Sequence, residues 1–307
     1  MNRIIISEEN DPYYNLALEE ELLENLKGNE KILYLWINSP CVIIGRNQNP
    51  YLECNLNFLK EKNIELLRRK SGGGAVYQDL GNLNYTFINN TDLEISQKYQ
   101  EILIESLKEK HIDSFFSGRN DILIKDKKIS GQAFYEINNK MCLHGTLLVN
   151  VDLDNLVNSL KPSYSKLISK GISSIKSRVG NLKDFNKSIN IKELKEILIT
   201  KYKKKISEDV NIEYYNKKIF FPKYYREYKK EEWNLENCPE FIFEKEIIYE
   251  EGILKISFKI SNGIIKDIIF SSDSLKKLNL IFLREKLINK KFSENEIKIF
   301  LDDLRSE

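Results

Sequence analysis

Apolar and polar positions alternate along the chain in short runs that predict a mixture of strands and helices. Residues 2–7 (NRIIIS) are rich in β-branched side chains, the composition that fits a pleated strand. Asp11-Pro12 then offers a capping acid and a proline in the first turn. Leu18, Leu22 and Leu26 recur at helical spacing until Gly28 breaks the pattern, so a helix is predicted here. ILYLWIN (32–38) and CVIIG (41–45) read as two strands joined by a turn at Ser39-Pro40. A helix over about 56–62 and a strand in IELLRR (64–69) lead into three consecutive glycines, after which AVYQD (75–79) and NLNYTFIN (82–89) suggest a hairpin. Ile95, Tyr99, Ile102 and Leu107 give an apolar helical stripe, and residues 115–151 are strand formers with KDK (125–127) and INNK (137–140) as turns. LDNLVNSL (153–160) and IKELKEILITKYKKK (191–205) read as helices on either side of a polar loop.

A boundary is expected near Trp233–Glu244, where Asn, Pro and acidic residues separate structured runs. Beyond it the pattern reads as a strand meander followed by two amphipathic segments. The expected class is therefore α+β: a large mixed-sheet domain over residues 1–238 and a small C-terminal α+β domain over 239–307. The basic run KYKKKIS (201–207) is expected as a solvated helix face.

Composition narrows the function classes. The chain is 41% hydrophobic and 11% aromatic, enough for a sizeable core, and its 31% charged residues nearly cancel to a net +2. That balance argues against a dedicated nucleic-acid binder. Cys41, Cys54, Cys142 and Cys238 form no CxxC pair and only His111 and His144 accompany them, so a zinc site of His and Cys is not expected. The N-terminus turns acidic without a signal-like apolar core, and no apolar run is long enough to span a bilayer. A soluble cytoplasmic protein with reduced thiols is expected.

The candidate chemistry lies in RRKSGGGAVYQDLGNLN (68–84). Gly72, Gly73 and Gly74 permit close approach of a ligand to main-chain N–H groups, which can converge on an anion; a tight hairpin that uses the glycines for geometry alone is the competing reading. Arg68, Arg69 and Lys70 add positive charge. No Lys-Ser or Lys-Thr follows, which excludes a Walker A loop. The kinase companions HRD and DFG are absent, and a β-like run follows the glycines where a dinucleotide fold needs a helix. Further along, GRND (118–121) puts Asp121 at a strand start, KKISGQA (127–133) puts Lys128 before a small-residue turn, and HGTLL (144–148) follows. Singly these have bland readings: Asp121 as a turn cap, Lys128 as a surface residue, His144 as a core histidine.

Together the stretches NDPYYNLALEE, IIGRNQNPYLECN, RRKSGGGAVYQDLGNLNYTF, SGRNDILI, KKISGQA, HGTLL and KGISSIKSRVGNL closely resemble the lipoate–protein ligase A family, of the biotin/lipoate protein ligase superfamily, in order and spacing. The tail, with EWNLENCPEF and SSDSL, resembles that family's small accessory domain. The resemblance implies a cytoplasmic, ATP-dependent, adenylate-forming ligase that converts lipoate to lipoyl-AMP and passes the lipoyl group to a lysine of a carrier protein. Implied partners are lipoyl domains of 2-oxoacid dehydrogenase acyltransferase subunits or the glycine-cleavage H protein, with no nucleic acid and no membrane. Lys128 is then the catalytic cation that touches both lipoate and nucleotide. Arg69, Ser71, Gly72, Gly73, Gly74, Ala75, Val76 and Tyr77 hold ATP or adenylate, Asp121 is the Mg²⁺-linked carboxylate, and His144 stands in the lipoate pocket wall. Val42, Ile44 and Leu147 are candidates for the lipoyl tunnel or for plain core. Two alternatives are an octanoyl or lipoyl transferase, some of which use a nucleophilic cysteine, and an inactive binding module. The departure that feeds the second is Gln78, where many relatives carry His.

Overall fold

A computed structural model describes residues 1–117, 120–161, 178–249, 252–272 and 281–304. Two compact units divide the chain: residues 1–46 with 51–230, and residues 47–50 with 231–307. Of the motifs above, residues 118–119 of GRND, 170–177 of KGISSIKSRVGNL and 273–275 of SSDSL lie outside the described residues.

The large unit runs β1 (Asn2–Ser7), α1 (Pro12–Glu24), β2 (Ile32–Trp36), β3 (Cys41–Ile44), α2 (Pro50–Glu53), α3 (Leu56–Glu61), β4 (Glu65–Arg68), β5 (Val76–Gln78) and β6 (Asn82–Asn90). It continues through α4 (Leu93–Glu109), β7 (Phe115–Ser117), β8 (Asp121–Ile124), β9 (Lys127–Ile137), β10 (Lys140–Leu148), α5 (Leu153–Ser159), α6 (Leu182–Phe185), α7 (Ile191–Lys205), β11 (Val210–Tyr215) and α8 (Tyr225–Tyr228). An eight-stranded sheet has the order β11-β1-β2-β6-β10-β9-β8-β7, and a second sheet has the order β4-β3-β5. β1 lies parallel to both β2 and β11, and the rest of the large sheet is antiparallel.

Local chemistry explains the elements that sequence pattern predicts. Asp11 accepts from the N–H groups of Tyr13 and Tyr14 at 2.9 and 3.3 Å, which caps α1 with Pro12 at its first position. The β9–β10 turn places Asn138 and Asn139 at φ 50° and 60°, the left-handed pair that a two-residue hairpin turn requires. The main core lies between the large sheet and the helices α4 and α7. There Phe87 of β6 stacks on Tyr99 of α4 with ring centroids 4.2 Å apart.

Two expected hairpins are absent. β2 pairs with β1 and β6, whereas β3 pairs with β4 and β5 in the other sheet. Every residue of both strands is buried, so each lies within a layer, and the Asn38-Ser39-Pro40 break carries the chain from one sheet to the other. β5 and β6 separate in the same way; the Asp79 carboxylate accepts from the N–H groups of Gly81 and Asp152 and turns the chain between sheets. β11 has no counterpart among the predicted strands.

The small unit is an antiparallel meander of β12 (Phe241–Tyr249), β13 (Gly252–Ser261) and β14 (Ile264–Ser272), followed by α9 (Ile281–Leu287) and α10 (Glu294–Leu304). Asn262 and Gly263, at φ 50° and 71°, close the β13–β14 turn. Ile256, Phe258, Ile260 and Ile268 are fully buried in this unit.

Candidate active site

A pocket of about 310 Å³ is lined by residues from both sheets of the large unit, a size suited to a small organic ligand. Its walls come from Leu16 of α1, Trp36 of β2, Ile43 of β3, the loop and strand at Gly73–Val76, Asp121 of β8, and β9 and β10.

The glycine turn owes its shape to other parts of the protein. A Cβ on Gly45 would strike the Gly73 carbonyl oxygen, and Gly73 itself sits at φ +93°. One bare residue therefore lets two loops touch, and the other supplies a left-handed turn. Arg69 pins the turn from beneath. Its Nη2 donates to the carbonyls of Gly72 and Gly74 at 2.7 and 2.8 Å, its Nη1 to Ile43 O at 3.0 Å, and its Nε to Ser71 Oγ at 2.9 Å. Burial lowers the guanidinium to about 10, with Glu19 opposing the shift, so it remains charged at neutral pH. The fixed cation places positive charge in this wall.

Across the pocket, Lys128 Nζ lies 2.7 Å from Asp121 Oδ1, with the two side chains 37% and 40% exposed. Pairing of β8 with β9, with a register shift between Ile122 and Leu123, brings them together. A Cβ on Gly131 would lie 2.9 Å from Lys128 Nζ, so the small residue in KKISGQA leaves the ammonium its room.

Behind the glycines runs a buried chain of hydrogen bonds. His144 Nε2 lies 2.8 Å from Ser71 Oγ, and His144 Nδ1 lies 2.9 Å from Glu19 Oε2. Glu19 Oε1 accepts from Thr86 Oγ1 at 2.6 Å, and Thr86 Oγ1 accepts from Trp36 Nε1 at 3.0 Å. Beside a carboxylate a neutral imidazole keeps its proton on Nδ1, which leaves Nε2 to accept from Ser71. Ser71 in turn receives the Arg69 Nε–H. The relay thus orients the glycine turn through Ser71 and Arg69. Gln78 is locked separately: Asn38 Nδ2 donates to its Oε1 at 2.9 Å, and Asn15 Nδ2 donates to Asn38 Oδ1 at 2.9 Å. An amide in that network holds a neighbour and carries no proton.

Of the residues singled out from sequence, Arg69, Gly73, Gly74, Ala75, Val76, Gln78, Asp121, Lys128 and His144 line one pocket. Ser71 lies behind the turn, Gly72 lies outside the wall, and Tyr77 faces the opposite side of β5, packed with Val42 and Ile44. Strand alternation is the cause, since neighbours on a strand point to opposite faces. The same alternation puts Ile43 in the wall, moves Val42 and Ile44 to the second apolar cluster, and leaves Leu147 in the main core. Glu19 escapes sequence reading because an acid on a helix ordinarily faces water. The available signal was the company it keeps, Leu16, Ala17, Leu18, Leu22 and Leu23, all buried.

The profile of the lipoyl protein ligase A/B catalytic domain matches residues 11–203, and that of the bacterial lipoate protein ligase C-terminus matches residues 238–307. Lipoate-protein ligase A of Psychrobacter cryohalolentis is 35% identical over 312 aligned residues, covering 98% of this chain and 92% of that protein. The crystal structure of P. falciparum LipL1 in complex with lipoate superposes with a TM-score of 0.67 at 33% identity, over 100% of this chain and 98% of that one. A bipartite lipoate protein ligase studied with its E2 lipoyl domain from Thermoplasma acidophilum gives a TM-score of 0.66 at 30% identity, over 76% of this chain and 95% of that one. A lipoate-protein ligase A bound with ATP gives 0.65 at 27% identity, over 76% and 98%. Two matching profiles and full-length similarity to ligases agree with the pocket's composition: the chain belongs to the lipoate–protein ligase A family.

Proposed function

We propose that this protein activates lipoate with ATP to lipoyl-AMP and transfers the lipoyl group to a lysine of a lipoyl domain, on an acyltransferase subunit or a glycine-cleavage H protein. The observation that carries the reading is a single pocket with the Lys128–Asp121 pair on one wall and the Arg69-pinned glycine turn on the other. Relatives bound to lipoate and to ATP support it. The activation step joins two anions, the lipoate carboxylate and the α-phosphate, so preorganised cations and N–H donors are what lower its barrier.

In this reading Lys128 Nζ bridges carboxylate and phosphate, a role that suits a compact, rotatable ammonium. Gly73–Tyr77 offers main-chain donors to the nucleotide, while Arg69 and Ser71 hold that stretch in place. Asp121 fits Mg²⁺: it is a half-exposed carboxylate oxygen donor on the pocket wall, and magnesium commonly binds one or two carboxylates plus substrate phosphates. When bound, that ion neutralises phosphate charge. Until phosphates enter, Lys128 and Asp121 compensate each other. Leu16, Trp36 and Ile43 provide the apolar wall for the lipoyl tail. The domain division at residue 238 belongs to the same proposal, supported by the C-terminal profile, which begins at residue 238; resemblance to the family adds a hinge at Asn237–Glu240, about which the small domain reorients between the two half-reactions.

A cysteine-based transferase lacks its nucleophile. Among the described residues no cysteine lines the pocket, and burial pushes the Cys142 thiol well up, with Glu19 adding to the effect. Parallel assays on a purified lipoyl domain test the choice. Lipoate with ATP is expected to lipoylate the domain and release pyrophosphate, whereas an acyl-carrier donor without ATP is expected to give nothing. The opposite pattern sinks the ligase reading.

A further inference from the structure

Sequence spacing shows no metal-binding pattern, yet the fold assembles one. Cys142 and His144 lie two residues apart on β10, and Glu19 reaches them from α1. A thiol sulfur, an imidazole nitrogen and a carboxylate oxygen fall within 4.8 Å of one another. The Cys142 Sγ to His144 Nδ1 distance is 4.0 Å, and the Nδ1 to Glu19 Oε2 distance is 2.9 Å. Tetrahedral zinc, with bonds of about 2.0–2.3 Å, sets its donors roughly 3.3–3.7 Å apart. The sulfur–nitrogen and nitrogen–oxygen separations each lie within about half an ångström of that spacing, and the sulfur–oxygen separation is at most 4.8 Å.

The three donors wall a cavity of about 10 Å³, room for one water or one ion. Glu20, Lys70 and Tyr228 share this wall. The wall meets solvent at Lys70 and Glu20, whose side chains are 23% and 19% exposed. There Lys70 Nζ lies 3.6 Å from Glu20 Oε1, so acid and ammonium offset each other at the rim.

We propose that Glu19, Cys142 and His144 form a site for one thiophilic dication, with Zn²⁺ as its type, and that filling the site inhibits the ligase. The inhibitory half rests on the function proposed above; the binding half does not. On binding, the Cys142 thiol releases its proton to solvent and its sulfur ligates the ion. The His144 proton moves from Nδ1 to Nε2, which frees Nδ1 as a ligand. Glu19 exchanges its bond from imidazole for the metal, and water fills the fourth position. Nε2 then donates to Ser71 Oγ, whose own hydrogen turns to Gly72 O, 3.4 Å away. The hydrogen bond that sets the glycine turn is thereby reversed.

Cobalt titrated into the reduced full-length protein, without lipoate or ATP, tests the site. One equivalent is expected to give a thiolate-to-cobalt charge-transfer band and intense tetrahedral visible absorption, both lost on adding Zn²⁺. Cys142→Ser is expected to remove the charge-transfer band and weaken Zn²⁺ binding at least about tenfold, whereas Cys54→Ser retains both. Zn²⁺ is expected to inhibit the parent enzyme and to spare Cys142→Ser, whose metal-free rate is unchanged. Cys142→Ala, checked for folding by thermal melting, gives a second reading of the same band. No thiolate band in the parent protein, or a band that survives both substitutions, overturns the site. A band without inhibition overturns the regulatory half. Cobalt binding in a protein that fails to lipoylate sinks the ligase reading and leaves the site standing.

Discussion

A methyl group added in turn to each glycine of the 72–74 run separates shape from clearance. Gly73→Ala is strained at φ +93° and would press on Arg69 Nη2, 2.9 Å from the new carbon. It is expected to cost about 1–3 kcal/mol and lower the melting temperature by several degrees. A Cβ on Gly72 or Gly74 meets nothing within 4 Å, so both variants are expected to melt within about 0.5 kcal/mol of the parent. Gly74 lines the pocket and Gly72 does not. Gly74→Ala is therefore expected to weaken ATP about tenfold, near 1.4 kcal/mol, with Gly72→Ala unchanged by calorimetry. Equal losses from both would show that the pocket wall is drawn wrongly. Lys128→Ala removes a side chain that is 37% exposed, so stability is expected to hold. Adenylate formation is expected to fall at least about 10²–10³-fold, and a variant with full activity would displace Lys128 as the bridging cation.

Helix α1 shows the next scale, because its cap positions Leu16 and Glu19 for the pocket. Burial works to raise the Asp11 carboxyl, but bonds from Lys217 Nζ and Tyr225 Oη outweigh it and hold the carboxyl below its ordinary 3.8. A carboxyl lowered on folding stabilises the protein above its unfolded value, and that stability is lost as the pH falls through the folded value. Asp11→Asn keeps a capping oxygen but loses the charge. It is expected to cost about 1–2 kcal/mol at neutral pH, with the gap to the parent closing below about pH 4. A gap that stays constant from pH 7 to pH 3 in chemical denaturation would mean that this charge contributes nothing. Features of this local kind are legible in the chain itself: the Asp11-Pro12 start, the Asn138-Asn139 turn and the α4 stripe all follow from residues within a few positions. Sheet membership is not local, which is why β2 with β3, and β5 with β6, pass for hairpins while β11 goes unseen. β11 finds its partner about 200 positions away, at β1. The site is legible in the same graded way. Lys128 and Asp121 stand out as motif residues, but their contact arises from β8–β9 pairing. Glu19 is visible only once α1 is packed.

At the scale of the whole molecule, every residue lining the pocket belongs to the large unit, whereas the small unit has a core of its own. Phe258, fully buried in β13, packs on Phe243 with ring centroids 6.1 Å apart. Phe258→Ala deletes a ring from that separate core and is expected to cost about 3–5 kcal/mol there. Because the pocket lining belongs to the large unit, ATP affinity and the melting of that unit are expected to stay as in the parent. Lipoyl transfer then reports directly on the small unit: if it falls while ATP affinity holds, that unit serves a step after nucleotide binding. If calorimetry shows that ATP binding disappears along with the Phe258 ring, the nucleotide site cannot be built from the large unit alone. The Lys128 and glycine-turn walls would then be only part of it.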